Sequence, residues 1–202
     1  MKFNIVTASD IKLINFVKPC LESIKSQGYD PLFYNLGGLD FGIPFEAKTS
    51  EKPLQKFPKK PFIIKDALSR IPKNSWLAWL DIDCIMKSSI DDALNDQYDV
   101  GVTFRKDHLN SGVTFWNNNK RTVSFLEKWC EASLKENGDQ KGLNMLCKIN
   151  SKDSINTKVI IDNTIIKVFD SEIYNNFFFK KNQNNAKILH YKSKFRDMFP
   201  YK

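Results

Sequence analysis

Apolar and polar positions along the chain fall into runs of distinct period. Residues 2–7 form an apolar run that predicts a first strand, closed by the small-residue turn Ala8-Ser9-Asp10. Residues 11–26 carry Ile11, Ile14, Val17, Leu21 and Ile24 at helical spacing, with Pro19 inside the run as a candidate kink and Gly28 after it. Residues 31–36 read as a second strand closed by Gly37-Gly38, and strand–helix–strand order within so short a span predicts an α/β sheet with covered faces. Residues 40–59 are irregular, rich in Lys, Pro and Glu, and read as a loop over the sheet edge. A helix is predicted over 60–68, with Pro61 near its first position, and 72–75 is a turn.

Residues 76–80 are almost wholly apolar, as in a central strand buried on both faces, and they run into Asp81-Ile82-Asp83. Short strands follow at 100–104 and 112–116. After a polar turn at 117–120, a helix to about 136 presents Val123, Leu126, Trp129, Cys130 and Leu134. Asn137-Gly138 ends it, and Asp139 reads as the N-cap of a short helix through 146. Residues 150–158 and 182–185 read as polar loops. Residues 159–161, 165–169 and 188–190 are strand-like, and the tail from Lys192 is basic and aromatic.

Composition adds bounds. With 202 residues, 42% hydrophobic and 27% charged, the chain is expected to form a single globular domain over 1–202. Collagen, coiled coil and wholesale disorder are excluded. The net charge of +8 favours anionic partners, but it comes almost entirely from dispersed lysines, the arginines being Arg70, Arg105, Arg121 and Arg196. Nucleic acid is therefore not the expected partner: no zinc finger or ribonucleoprotein motif is present, and the aromatic block Phe177-Phe178-Phe179 suits packing better than base stacking. Neither a GxxxxGK loop nor a GxGxxG fingerprint occurs. Cys20, Cys84, Cys130 and Cys147 lie in apolar context without a CxxC pair, which predicts reduced core thiols and a cytoplasmic setting. A structural zinc site is not expected, since His108 and His190 have no clustered cysteines in sequence. The start lacks the apolar core of a signal peptide, and no stretch approaches 18 apolar residues. Peripheral attachment to an anionic membrane face through the lysines stays open.

Asp81 and Asp83 carry the sharpest chemical signal. Read as i and i+2 of a strand, they point to one side at the carboxyl end of a buried strand, where open α/β sheets bind ligands. Two adjacent carboxylates call for a counter-charge, and a divalent cation bridging to a diphosphate supplies one. A solvated strand end is the plainer reading. Phosphatases with paired aspartates place them after the first strand, unlike here. His190 follows Ile188-Leu189 at another strand end, fit to complete a cation site or to be structural. Lys192, Lys194 and Arg196 around it favour an anionic ligand. Asn110-Ser111-Gly112 offers an amide, a hydroxyl and a close backbone approach for sugar hydroxyls, or reads as a turn.

Together these segments resemble the GT-A fold glycosyltransferases that use nucleotide-diphosphate sugars, in particular the glycogenin and lipopolysaccharide galactosyltransferase group with its small bacterial and viral relatives. The resemblance implies a Rossmann-like mixed central sheet with flanking helices. It makes Thr7, Ala8 and Asp10 the base-binding loop and Lys60 the basic residue turned toward the nucleotide; Tyr34 either stacks on the base or packs in the core. Trp79-Leu80-Asp81-Ile82-Asp83 is similar to the metal-binding signature: Asp83 is a direct ligand, and Asp81 touches metal, ribose or sugar. Asn110, Ser111 and Gly112 then line the donor sugar, Asp139 and Gln140 lie near its anomeric carbon, and His190 is a metal ligand. Lys192, Lys194 and Arg196 face the diphosphate; Ser193 and Arg196 depart from the family's usual glycine and lysine.

The implied activity is Mn²⁺- or Mg²⁺-dependent hexose transfer to a glycan, lipid or other hydroxyl acceptor. In a retaining route the donor phosphate deprotonates the acceptor while Gln140 or Asp139 steadies the developing positive charge; in an inverting route Asp139 is the general base. The resemblance leans to retention. The rivals are a sugar-nucleotide nucleotidyltransferase, whose Gly- and Arg/Lys-rich first loop is not matched by Ala8-Ser9-Asp10, a basic nucleic-acid-binding domain and a non-catalytic carbohydrate binder.

Overall fold

The computed structural model describes residues 2–46, 59–177 and 183–200, with the side chains of 193–195 also outside the description. The first apolar run forms β1 (Phe3–Ser9), buried at every position but Asn4. Asp10 caps a tight 3-10 turn at Ile11–Leu13, its carboxylate accepting from the Lys12 N–H at 3.0 Å. Helix α1 (Ile14–Ser26) follows and continues through Pro19 as one element. Its buried face is Phe16, Val17, Cys20 and Ile24, whereas Ile11 and Ile14 lie exposed. The predicted stripe thus slips, because the 3-10 turn packs three residues per turn and shifts the phase of what comes after it.

Next come β2 (Pro31–Asn35), β3 (Ile43–Pro44), α2 (Lys59–Arg70) and β4 (Trp76–Leu80). Part of the predicted 40–59 loop is therefore strand β3, and residues 47–58 lie outside the described residues. A short strand absent from the expected elements, β5 (Cys84–Met86), precedes β6 (Val100–Arg105) and β7 (His108–Asn117). Asn119 caps α3 (Lys120–Lys135), and α4 (Asp139–Cys147) follows. The chain ends with β8 (Lys158–Ile161), β9 (Thr164–Asp170), α5 (Ser171–Tyr174), β10 (Asn176–Phe177), β11 (Ile188–His190) and a 3-10 segment, Ser193–Met198.

Eight strands make one mixed sheet in the order β3-β2-β1-β4-β7-β6-β9-β8. β1 runs parallel to both β2 and β4, and β4 pairs antiparallel with β7. β4 is buried at all five positions because both of its faces are covered: Trp76, Ala78 and Leu80 join the core beneath α1, and Leu77 and Trp79 join the core beneath α2 and α3. Burying a leucine such as Leu77 or Leu80 is worth roughly 1.5–3 kcal/mol relative to exposure.

A second sheet, β10-β11-β5, has three short strands, and β11 pairs antiparallel with β5 so that His190 lies opposite Cys84. One irregularity also matters for the site. Thr103 pairs with Asn110 but Val102 pairs with Thr114, so residues 111–113 bulge out of the β6–β7 ladder. Asn110-Ser111-Gly112 is thus a bulge within a strand, of the kind that re-aims side chains, and not a turn ahead of one. Among the described residues, no helix is long and apolar enough to cross a membrane.

Candidate active site

β4 stops at Leu80, and the Cys84 N–H returns to the Asp81 carbonyl at 3.0 Å. Asp81-Ile82-Asp83 is therefore a turn and not the strand end that the i, i+2 reading assumed. The carboxylates converge all the same. His190 Nε2 lies 3.1 Å from Asp83 Oδ1 and 3.9 Å from Asp81 Oδ2. The small sheet brings them together: β11 lies against β5, and the Tyr191 N–H donates to the Asp83 carbonyl at 2.8 Å. Trp79 Nε1 donates to Asp81 Oδ1 at 2.8 Å and holds that side chain at the mouth.

His190 is fully buried. Phe177 stacks on it at 5.0 Å with 26° between planes. The ring also leans on Gly112, where a Cβ would fall 2.5 Å from His190 Cε1 and 2.8 Å from its Nδ1. The close approach that Gly112 permits is thus that of the imidazole. Asn175 accepts at its Oδ1 from His190 Nδ1 (2.8 Å) and donates to Asn110 Oδ1 (2.9 Å), which also receives the Gly112 N–H (2.8 Å). Asn110 Nδ2 in turn donates to Gln140 Oε1 at 3.2 Å. Asn175 was missed in the sequence, where it stands in the polar stretch before the Phe block with no motif to mark it.

The donor set fits a divalent cation. His190 Nε2 is a buried nitrogen without a hydrogen-bond partner, and it faces two carboxylates. Burial opposes the charge on Asp83, but His190, when its ring is charged, and Arg196 outweigh it and hold that carboxyl well below its usual range. One cysteine distant in sequence does come near in space: ligand atoms of Asp83, Cys84 and His190 lie within 4.8 Å of one another. Burial, with Asp83 and Asp81 close by, pushes the Cys84 thiol far up, so its sulfur is protonated at neutral pH. Arg196 sets Nε and a terminal nitrogen both 2.9 Å from Asp83 Oδ2, leaving Oδ1 toward His190. In this state it is the counter-ion of Asp83 rather than an open diphosphate ligand.

Beside this centre lies a second knot of charge. Lys60 Nζ sits 2.8 Å from Asp81 Oδ1 and 2.9 Å from Asp139 Oδ2, and donates to the Ser111 carbonyl at 2.9 Å. Burial would depress the Lys60 pKa, yet Asp139 and Asp81 carry it above its ordinary value. Asp139 does not cap its helix as expected. Gly138 takes the cap position, and the Asp139 carboxylate turns inward to accept from Ser111 Oγ at 2.7 Å. Burial pushes its pKa up, but Lys60, Ser111 and the Gln140 N–H bring it down to about 2. Helix α4 is held for this purpose. Trp129 Nε1 donates to the Asp139 carbonyl (2.8 Å), Asn144 brackets both backbone groups of Leu109 (2.8 Å), and Gly142 presses on Ser133 where a Cβ would meet its nitrogen at 2.6 Å.

Other expected residues lie apart from this cluster. Thr7 is buried in β1 beside Cys20, so only its backbone could meet a base. Ala8 is buried, and Asp10 is engaged as a cap. Tyr34 is fully buried, donates to Asp66 at 2.6 Å and packs on Phe45, which is the core role of the two that stood open for it. Lys192 is half-buried just before the last 3-10 segment, and the side chain of Lys194 is outside the description, as are Phe178 and Phe179. His108 pairs with the exposed Asp107 at 2.7 Å in the β6–β7 turn and takes no part.

The site thus comprises paired aspartates after a central strand of a mixed sheet and a histidine returned to them by a small second sheet. The model of the nucleotide-diphospho-sugar transferase family matches residues 77–197, more than half of the sequence, and the chain belongs to that family of glycosyltransferases. No curated protein matches the sequence significantly. Among solved structures, a glycosyltransferase involved in glycosylation of the major capsid of PBCV-1 is 16% identical, with a TM-score of 0.65 over 98% of this chain and 99% of that one. GlyE of Streptococcus pneumoniae TIGR4 is 17% identical with a TM-score of 0.63; the match covers 96% of this chain but only 55% of GlyE, so the chain spans about half that protein's length. The galactosyltransferase LgtC is 13% identical with a TM-score of 0.56, covering 95% of this chain and 88% of LgtC. At these identities the likeness is one of fold, and that fold is GT-A.

Proposed function

We propose that the chain transfers a hexose from a nucleotide-diphosphate sugar to a hydroxyl of a glycan, lipid-linked or similar acceptor, with retention at the anomeric carbon. The observation that carries this reading is the buried, unpartnered His190 Nε2 facing Asp81 and Asp83 at the end of β4. A divalent cation, Mn²⁺ or Mg²⁺, held by Asp83 and His190 with Asp81 would draw charge from the leaving diphosphate. Gln140, held by the buried Asn110 amide, and Ser111 supply amide and hydroxyl groups beside it suited to sugar hydroxyls. Lys60 holds Asp81 and Asp139 in fixed positions. Lys192 and, on release from Asp83, Arg196 supply positive charge for the diphosphate. Thr7, Ala8 and Asp10 meet the base through backbone and carboxylate.

In the transfer, the bond from the anomeric carbon to the diphosphate oxygen breaks and a bond to the acceptor oxygen forms on the same face. The acceptor proton passes to the leaving diphosphate. Gln140 faces the developing positive charge. The inverting route needs Asp139 as general base, and a carboxylate paired with Lys60 and held near a pKa of about 2 is poorly suited to take a proton at neutral pH.

A donor screen with Mn²⁺ tests the proposal, reading nucleotide-sugar hydrolysis, transfer and calorimetric binding for the wild type and D83A. The variant should lose at least about a hundredfold in turnover. A wild type that binds no diphosphate sugar in Mn²⁺, or a D83A protein that behaves like it, overturns the reading.

A further inference from the structure

We propose that Asn175 is a positioning residue which, anchored by the backbone N–H of Gly112, places the proton of His190 on Nδ1 and leaves Nε2 open toward Asp81 and Asp83. The consequence for cation binding rests on the function proposed above; the proton assignment does not.

The assignment starts from a group with no choice. A backbone N–H can only donate, so the Asn110 side-chain atom 2.8 Å from the Gly112 nitrogen is its oxygen. That oxygen lies 2.9 Å from one arm of the Asn175 amide, which must then be the NH₂. The same nitrogen is 2.9 Å from Thr103 Oγ1, whose own hydroxyl proton goes to the Asn110 carbonyl at 3.2 Å, so Thr103 has a lone pair to offer. Two separate neighbours therefore give Asn175 one orientation. Its oxygen faces His190 Nδ1 at 2.8 Å, and the ring nitrogen there must donate. Thr103, Asn110, Asn175 and His190 are all fully buried. Reversing any one amide would set donor against donor or acceptor against acceptor with no solvent to relieve it. The ring is also confined, with Phe177 stacked on it and Gly112 close against its Cε1 and Nδ1.

The Asn175 amide bonds Thr103, Asn110 and His190 and neither carboxylate, so its part in the site runs through the imidazole. An acceptor behind the ring in this way fixes the tautomer and orientation of a metal-binding histidine.

Two measurements test this. In the metal-free wild type with ¹⁵N-labelled histidine, NMR should find a proton on Nδ1 of His190, with H108Q identifying the other of the two histidines. A proton on Nε2 with a bare Nδ1 overturns the assignment. In N175A the Nδ1 proton loses its acceptor and the preference should disappear. Calorimetric titration with Mn²⁺ should show N175A binding roughly tenfold to a hundredfold more weakly than wild type. Y174F removes a buried hydroxyl one residue away, which donates to Asp92 at 3.0 Å and lies outside this network, and should bind as the wild type does. The positioning role fails if N175A keeps wild-type affinity, or if Y174F loses as much as N175A, which would mean loosened packing. A wild type that binds no Mn²⁺ refutes the cation reading of the site instead, and the NMR result still decides the tautomer, including where N175A does not fold.

Discussion

Replacing Lys60 with methionine isolates the electrostatic work of the site. Methionine keeps much of the unbranched stem and its packing near Trp79, whose ring centroid lies 5.6 Å from Nζ, but removes the charge between Asp81 and Asp139. Asp139 shows what is at stake. Its pKa falls from the ordinary 3.8 to about 2, and this side chain is mostly buried. That difference corresponds to about 2.5 kcal/mol of folding stability at pH 7, by the 1.36 kcal/mol that accompanies each pKa unit. The sign follows from the depressed value: the contribution is full above the unfolded pKa near 4 and is lost as pH falls through about 2, so roughly half remains at pH 3.

Without Lys60, burial and the neighbouring Asp81 would push Asp139 upward instead, adding a penalty at neutral pH that acid relieves. K60M should therefore cost about 3–5 kcal/mol at pH 7, the range for breaking a buried pair from one side, and distinctly less at pH 3. Urea unfolding at the two pH values measures it. A loss under about 1 kcal/mol at pH 7, or one that does not change with pH, would refute the claim that Lys60 neutralises this pair.

Two further perturbations follow from the same geometry. G112A would set a Cβ 2.5 Å from His190 Cε1, so the ring must move; Mn²⁺ affinity by calorimetry should fall at least about tenfold, and unchanged affinity would contradict the packing described. Asp99, 1% exposed, accepts from Arg121, Asn119 and the Ile165 N–H, which together overcome burial and depress its pKa, so D99N should lose about 2–4 kcal/mol in urea unfolding at pH 7 and less in acid.

The fold was legible where apolar patterning is local and strong. The run 76–80 announced a strand covered on both faces, and α3 matches its predicted span closely because Asn119 and the Asn137-Gly138 pair mark its ends. Legibility failed where an element was two or three residues long. Strands β3, β5 and β10 are too short to show a period, and the 3-10 turn before α1 moved a helical stripe that spacing alone had placed on Ile11 and Ile14. The site was legible as residue types and hidden as geometry. Asp81, Asp83, Asn110, Asp139 and His190 all fall in one region, but the reasons attached to some of them changed. Gly112 makes room for an imidazole, Asp139 is a buried ion-pair partner and not a cap, and Arg196 is turned onto Asp83.

By itself the sequence determined the strands and helices with clear periods, the position of two aspartates after a buried strand, and the family likeness that motif order carries. Tertiary structure alone decided that β5 meets β11, that Cys84 therefore lies beside His190, that Lys60 stands between two carboxylates, and that Asn175 holds the ring. The physical reason is range. Hydrophobic period and capping act over a few residues, so one chain segment contains them. The contacts that set protonation and charge at this site join positions as much as 113 residues apart, and they exist only once both sheets have formed.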